Sequence, residues 1–268
     1  MTKFKKVFQY AFLTIASIVS IFPFIWMIFG ATNSATDIIQ GKLLPGKEFL
    51  NNAKMLGEMV NIKVALSNSA QIAIISTLLL LLIASLAGYG FELYKSKYKE
   101  KVYTALLLSM MIPFAAIMIP LFRMFAKFGL IDSLAAVILP TIAMPFMIFF
   151  FRQNTKTFSV ELLQAARVDG LNEFQIFWYI YIPTMKSTYA AAGIIAFMTS
   201  WNNFLWPLII LQSEARKTMT LVISSLSSAY FPEYGVIMVA IIIATLPTIL
   251  IFFLLQKSFV EGMLGSVK

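Results

Sequence analysis

The residue types most suited to recognition lie in one short run, Ser159-Val-Glu161-Leu-Leu-Gln164-Ala165-Ala166-Arg167-Val-Asp169-Gly170. Two adjacent alanines flanked by Gln164, Arg167 and Asp169 form a small knob with a polar surround. Small side chains let another backbone approach closely, so this knob suits docking into a groove of another protein. Ser159 is placed to cap a helix, and Glu161 falls in the first turn, where the helix dipole favours an acid. Gly170 can end that helix in a left-handed conformation. Asn172 with Gln175 reads as a capping box for a second short helix. On it Phe174, Phe177, Trp178 and Tyr181 follow i, i+3, i+4, i+7 as one apolar face, and Pro183 punctuates its end. This second helix reads as lying at a membrane interface.

Other chemistry is excluded. The chain has no histidine and no cysteine, which removes thiolate, Ser-His-Asp and Cys-His catalysis, disulfides, and the usual zinc and haem ligands. No catalytic site and no metal site are expected. Gly41-Lys-Leu-Leu-Pro-Gly46-Lys47-Glu48 spells most of a P-loop, but Glu48 stands where a Ser or Thr must hold magnesium, so it reads as a chance match. A third group, Trp201-Asn202-Asn203, offers amides for hydroxyls and an indole for the apolar face of a sugar. The competing reading is that the amides bond between helices.

Around these groups the composition is that of a membrane protein: 60% hydrophobic and 12% charged residues in a chain of 268, against about 45–50% and 25% in soluble domains. Six uncharged runs of nineteen or more residues stand out: Val7–Thr36, Val64–Phe91, Val102–Phe122, Ser133–Phe151, Ser187–Ser213 and Tyr234–Gln256. A helix needs about 20 residues to cross the hydrocarbon, so the chain is expected to be an all-α polytopic protein with six spans. Thirteen Lys and Arg against six acids then fall on the face holding both termini; the other face has eight and six. By the positive-inside rule the first face, with both termini, is cytoplasmic. The first run is too long for a cleavable signal core and reads as a retained span. A net charge of +9 without any basic run longer than a pair argues against nucleic acid.

Prolines at 23, 113, 120, 140, 145, 207 and 247 fall in or beside the spans, where each removes a backbone donor and invites a kink. Ala84 with Gly88, and Ala192, Ala196 and Ser200, give small-residue faces at a spacing of four. These can meet helices of the same chain or of a second subunit. No ionisable group lies inside a span, whereas ion-coupled carriers usually carry one there. If the chain moves a solute, the work is expected to come from a partner.

The pattern Glu161-Leu-x-Gln164-Ala165-Ala166-x-x-Asp169-Gly170, followed by Phe177 and Ile182-Pro183, resembles the EAA loop of ABC-importer permeases. Asn68-Ser69, Gly88-Tyr89-Gly90, Ile119-Pro120-Leu-Phe122, Gly129-Leu-Ile-Asp132-Ser133, Pro145-Phe146 through Arg152-Gln153, Trp201-Asn202-Asn203-Phe-Leu-Trp206-Pro207 and the tail Phe259–Lys268 agree. Together they resemble the second permease subunit of carbohydrate-uptake ABC transporters, the maltose and oligosaccharide type within the binding-protein-dependent inner-membrane component family. The resemblance implies a type I importer permease (MetI-like core) with a cytoplasmic coupling helix, divided into 1–63, an N-terminal span and external loop, and 64–268, a permease core with its EAA loop at about 159–183. It implies a non-catalytic subunit in the cell membrane that forms half of an alternating-access path. Its partners would be a second permease as a heterodimer, two cytoplasmic ATPase subunits carrying ATP and magnesium, an extracytoplasmic solute-binding protein, membrane lipid and a sugar. Glu161, Gln164, Ala165, Ala166, Arg167, Asp169 and Gly170 would couple to the ATPase; Trp201, Asn202 and Asn203 would line the substrate path; Glu214, Arg216 and Lys217 would meet the binding protein. Two departures stand out: Gln164 replaces the first Glu of the motif, and Ser159 a common proline. The alternatives are an ABC permease for another solute such as glycerol-3-phosphate, and a membrane scaffold that transports nothing.

Overall fold

A computed structural model describes residues 3–263, with side chains for 5–257. The tail motif Phe259–Lys268 therefore lies outside the described side chains, as do Lys3 and Glu261. Among the described residues there are helices and no strand. The helices are α1 (Lys3–Ala31), α2 (Ala35–Ile39), α3 (Phe49–Met59), α4 (Ile62–Leu93), α5 (Lys97–Ser109), α6 (Phe114–Lys127), α7 (Leu134–Ile138), α8 (Pro145–Thr155), α9 (Val160–Val168), α10 (Glu173–Ile176), α11 (Ile182–Thr184), α12 (Lys186–Trp201), α13 (Leu205–Ile210), α14 (Met219–Ser227) and α15 (Tyr234–Met263).

Four segments are long and apolar enough to cross a membrane: Lys5–Ala31, Ile62–Leu93, Lys186–Ile210 and Tyr234–Lys257. The other two expected spans are broken. α5 and α6 meet at 101°, and Leu134–Thr141 meets α8 at 42°, so the number of spans lies between four and six. Proline accounts for both breaks. Pro113 caps α6 from an extended conformation, and Pro145 opens α8. At both places the ring supplies no N–H and biases the preceding residue away from helix.

The chain divides into two compact units, Met1–Ala65 with Met219–Pro247, and Leu66–Thr218 with Thr248–Lys268. In the first, an amide knot gathers the chain after α1. Asn52 Nδ2 donates to the carbonyls of Ala31 and Asn33, both at 2.9 Å, and Asn33 Nδ2 donates to Leu44 O at 2.9 Å. Gly46 N donates to Thr32 Oγ1 at 2.8 Å, and a Cβ on Gly46 would sit 2.3 Å from Thr32 O. The glycine of the P-loop look-alike is thus required for close packing, and no strand precedes it.

The second unit shows where the small residues go. Ala84, Ala192 and Ala196 are buried in one cluster with Met147, Ile148 and Phe151. A Cβ on Gly88 would lie 2.7–2.9 Å from Phe151 Cβ, Arg152 N and Phe151 C, so α4 and α8 touch backbone to backbone. In lipid, where burying apolar surface brings little gain, such close approach is the main source of helix association. The small faces at Ala84–Gly88 and Ala192–Ala196 therefore meet helices of the same chain.

Candidate functional site

Residues 159–185 fold as the local signals require. Ser159 Oγ accepts the Leu162 N–H at 3.2 Å, and its hydroxyl donates to Glu161 Oε2 at 2.7 Å. That bond is the main cause holding the exposed Glu161 carboxyl below the usual carboxylate range. α9 ends in a Schellman motif: Gly170 has φ 84°, its N–H reaches Arg167 O at 3.1 Å, and Leu171 N reaches Ala166 O at 3.0 Å. Asn172 and Gln175 exchange two hydrogen bonds of 2.9 Å as a capping box.

The two alanines point in opposite directions. Ala165 is exposed. Ala166 is 3% exposed and packs with Leu163, Tyr89, Phe158, Ile176, Phe177 and Tyr181. The expected two-alanine knob is therefore a one-alanine knob, because the helix phase that buries Leu163 also buries the residue three later. What the outer face presents is a stripe at three-residue spacing: Leu162 (47% exposed), Ala165 and Val168 (88% exposed). Gln164 and Asp169, both exposed, flank it.

Arg167 does not point into this outer surround. Its Nε donates to Glu173 Oε1 at 2.8 Å and its Nη2 to the Tyr94 hydroxyl at 3.2 Å, while that hydroxyl also donates to Glu173 Oε2. Burial works against the Glu173 charge, but the bonds from Tyr94 and Arg167 prevail and hold its carboxyl low. The network ties α9 and α10 to the residue just past α4.

The aromatic face is also split. Phe177 and Tyr181 are buried and stacked, with ring centroids 5.4 Å apart, whereas Phe174 is 71% and Trp178 42% exposed. The reason is winding: Phe177–Tyr181 forms a π-helix. Its wider turn breaks the 3.6-residue period on which a single face depends.

Trp201, Asn202 and Asn203 separate as well. Trp201 is buried, stacked on Phe197 beside Ala73. Asn202 is exposed, and its Nδ2 donates back to Met198 O at 2.9 Å, a local bond at the end of α12. Of the three, Asn203 alone reaches a small, largely apolar recess of about 30 Å³, where Leu80, Met144 and Ala196 line it together with the hydroxyls of Ser76, Thr141, Thr199 and Ser200. Ser76 is 2% exposed and its hydroxyl has no partner. The recess has room for about one water molecule.

Glu214 and Arg216 bound a single 3₁₀ turn, and Lys217 Nζ pairs with Glu214 Oε1 at 2.5 Å. Two residues outside the expected site hold this segment. Asn68 Nδ2 donates to the carbonyls of Ala215 (3.0 Å) and Lys217 (3.1 Å). Asp132 Oδ1 accepts the N–H groups of Gln212 (2.8 Å) and Ser213 (3.0 Å), and Asp132 N donates to Ile210 O at 2.9 Å. Asp132 adopts φ 59°, a left-handed conformation that Asp tolerates better than most residues. Desolvation opposes its charge, yet the hydrogen bonds from Ser213 and Gln212, with Arg216 nearby, hold its carboxyl below the ordinary value. The signal for both residues was their polarity beside apolar runs.

Residues 80–265 match the family described as binding-protein-dependent transport system inner membrane component. The chain is 55% identical over 260 residues to the lactose transport system permease protein LacG of Rhizobium radiobacter, covering 97% of this chain and 95% of that protein. It is 41% identical over 202 residues to the arabinooligosaccharides transport system permease protein AraQ of Bacillus subtilis, covering 75% and 72%. In three dimensions it resembles a chain in the crystal structure of a bacterial ABC transporter that imports the acidic polysaccharide alginate. The TM-score is 0.82 at 20% identity over 97% of this chain and 99% of that one.

Proposed function

Because this chain belongs to the family of binding-protein-dependent transport system inner membrane components, we propose that it is one permease half of an ATP-driven sugar importer, with oligosaccharides as the favoured cargo. The two sugar-permease relatives support that class. In this reading α1, α4, the α5–α6 pair, the α7–α8 pair, α12–α13 and α15 make six crossings, and both termini and residues 159–185 face the cytoplasm. ATP and magnesium belong to two ATPase subunits, a second permease completes the path, and an extracytoplasmic binding protein delivers solute to the face that carries residues 211–218.

The outer face of α9 carries the proposal. Leu162, Ala165 and Val168 form an uncovered apolar stripe on a helix whose inner face is packed and whose end is tied through Arg167 and Glu173 to Tyr94. A groove in the ATPase that receives this stripe moves the whole packed body with it, since close-packed interiors transmit displacement. Nucleotide then shifts the transporter between inward- and outward-open states only by binding one of them more tightly.

The recess at Asn203 sets hydroxyls and one amide beside an apolar wall of Leu80, Met144 and Ala196, a mixed lining that suits the hydroxyls and the apolar ring face of a sugar. Its size means that a sugar site needs walls from the second permease.

The absence of native cysteine makes a clean test. Ala165→Cys is expected to cross-link to single cysteines in the ATPase groove, and ATP-dependent sugar uptake into vesicles should require both permeases and the binding protein. Cross-linking at Ala166→Cys instead, or uptake without ATP, would refute the reading.

A further inference from the structure

The end of α4, the start of α5 and the end of α8 meet at a charged cluster outside the coupling face of α9. Arg152 on α8 is only 7% exposed. Its Nε donates to Glu92 Oε2 at 3.2 Å, its Nη2 to Glu100 Oε1 at 2.6 Å, and its guanidinium lies 3.9 Å from the Tyr103 ring centre. Its Nη1 has no partner. Lys95 Nζ takes the other oxygen of Glu92 at 2.6 Å. Both acids are thereby neutralised within the cluster.

An open surface basin of about 760 Å³ lies over this cluster, and three further lysines line it, Lys97, Lys101 and Lys156. Among the described residues no acid pairs with any of the three. Five cations against two carboxylates leave a surplus of three positive charges around the basin. In the same turns of α5 an exposed stripe begins at i, i+4, i+7: Tyr98 at 77%, Val102 at 42% and the exposed Ala105. Tyrosine at a helix end marks the headgroup level of a bilayer, with the apolar residues beyond it in the hydrocarbon. Basic pockets between helices at that level take anionic lipid headgroups.

We propose that the pocket of Lys97, Lys101, Lys156 and Arg152 binds the phosphodiester headgroup of an anionic phospholipid, with its acyl chains along the Tyr98–Val102–Ala105 stripe. The lysines attract the phosphate at the rim while the Arg152–Glu92–Glu100 cluster fixes the floor. A soluble acidic partner would use the lysines but gain nothing from the stripe, and the stripe is what selects lipid.

The test uses the intact transporter complex in phosphatidylcholine nanodiscs doped with phosphatidylglycerol, with retained lipid counted by native mass spectrometry. Wild type is expected to retain phosphatidylglycerol selectively. The combined Lys97→Gln, Lys101→Gln and Lys156→Gln variant should lose on the order of tenfold or more of that retention, whereas Lys42→Gln with Lys47→Gln and Lys54→Gln should not. Equal retention in both variants would overturn the proposal. So would displacement of the lipid by inorganic phosphate, which would mean a free-anion site. Loss of the ATPase subunits from the first variant with lipid retained would assign the patch to a protein partner instead. The readout needs no transport, so it stands or falls apart from the importer reading.

Discussion

Two regions of the second unit carry polar residues at chain turns and resolve them in opposite ways. Residues 159–185 are packed on one side and bare on the other: Leu163, Ala166, Phe177 and Tyr181 are buried, while Leu162, Val168 and Phe174 are open. Residues 210–218 are pinned from within, with backbone groups bonded to Asp132 and Asn68. Under the proposed function, the first region is half of an interface that the ATPase completes. The second is preformed, so a partner meeting it pays little ordering entropy on contact.

The largest test of this contrast is Ala166→Arg. A charged, bulky side chain in the cluster around Tyr89 and Tyr181 costs about 3 kcal/mol or more. The subunit itself should become protease-sensitive and poorly recovered from membranes. Ala165→Arg, one residue away, should leave the subunit folded and abolish both ATPase co-purification and uptake. If the two variants behave alike, the division between faces of α9 is wrong.

Asp132→Ala comes next. It leaves two backbone N–H groups without their acceptor and places alanine at positive φ, a cost of about 2 kcal/mol. Asp132→Asn, which keeps one acceptor and tolerates that conformation, should cost less. Protease cleavage rates within 210–218 rank the two. Acid gives a smaller and graded version of the same loss. Because the folded-state carboxyl titrates below its ordinary value of 3.8, its stabilisation is complete above that pH and fades as pH falls through the lowered value. The difference in thermal midpoint between wild type and Asp132→Ala should hold constant from neutrality to about pH 4 and close below it. The smallest effect belongs to Glu214→Gln: Glu214 is 82% exposed, and removing its pair with Lys217 should change stability by less than about 0.5 kcal/mol. A large loss there would mean the loop is held by surface charge, not by Asp132 and Asn68.

Much of this was legible in the sequence, and for specific reasons. Uncharged runs located the four long apolar helices and the two bent pairs, because ionised groups are costly in hydrocarbon whatever the fold. The caps at Ser159 and Asn172 and the left-handed Gly170 were readable because their partners lie within three or four residues. The 101° turn at Pro113 was not, since an uncharged run reports length and not direction. The inward phase of Ala166 was hidden because two small neighbours give no amphipathic signal; only Tyr89 and Tyr181, far away in sequence, decide which alanine is covered. Arg167 read as part of the polar surround of the docking knob because its partner Tyr94 lies 73 residues away. The wide turn at Phe177–Tyr181 left no trace in residue type.

Every residue from 5 to 25 of α1 is exposed within this chain. Among the described residues, no neighbour in the subunit judges the shape of those side chains. Swaps among leucine, isoleucine, valine and phenylalanine along that stretch should pass unnoticed by the subunit, whereas one lysine near its midpoint would meet a toll of about 3 kcal/mol at insertion. Within the subunit, the sequence of that helix therefore has latitude that the closely packed Gly88 contact denies to α4.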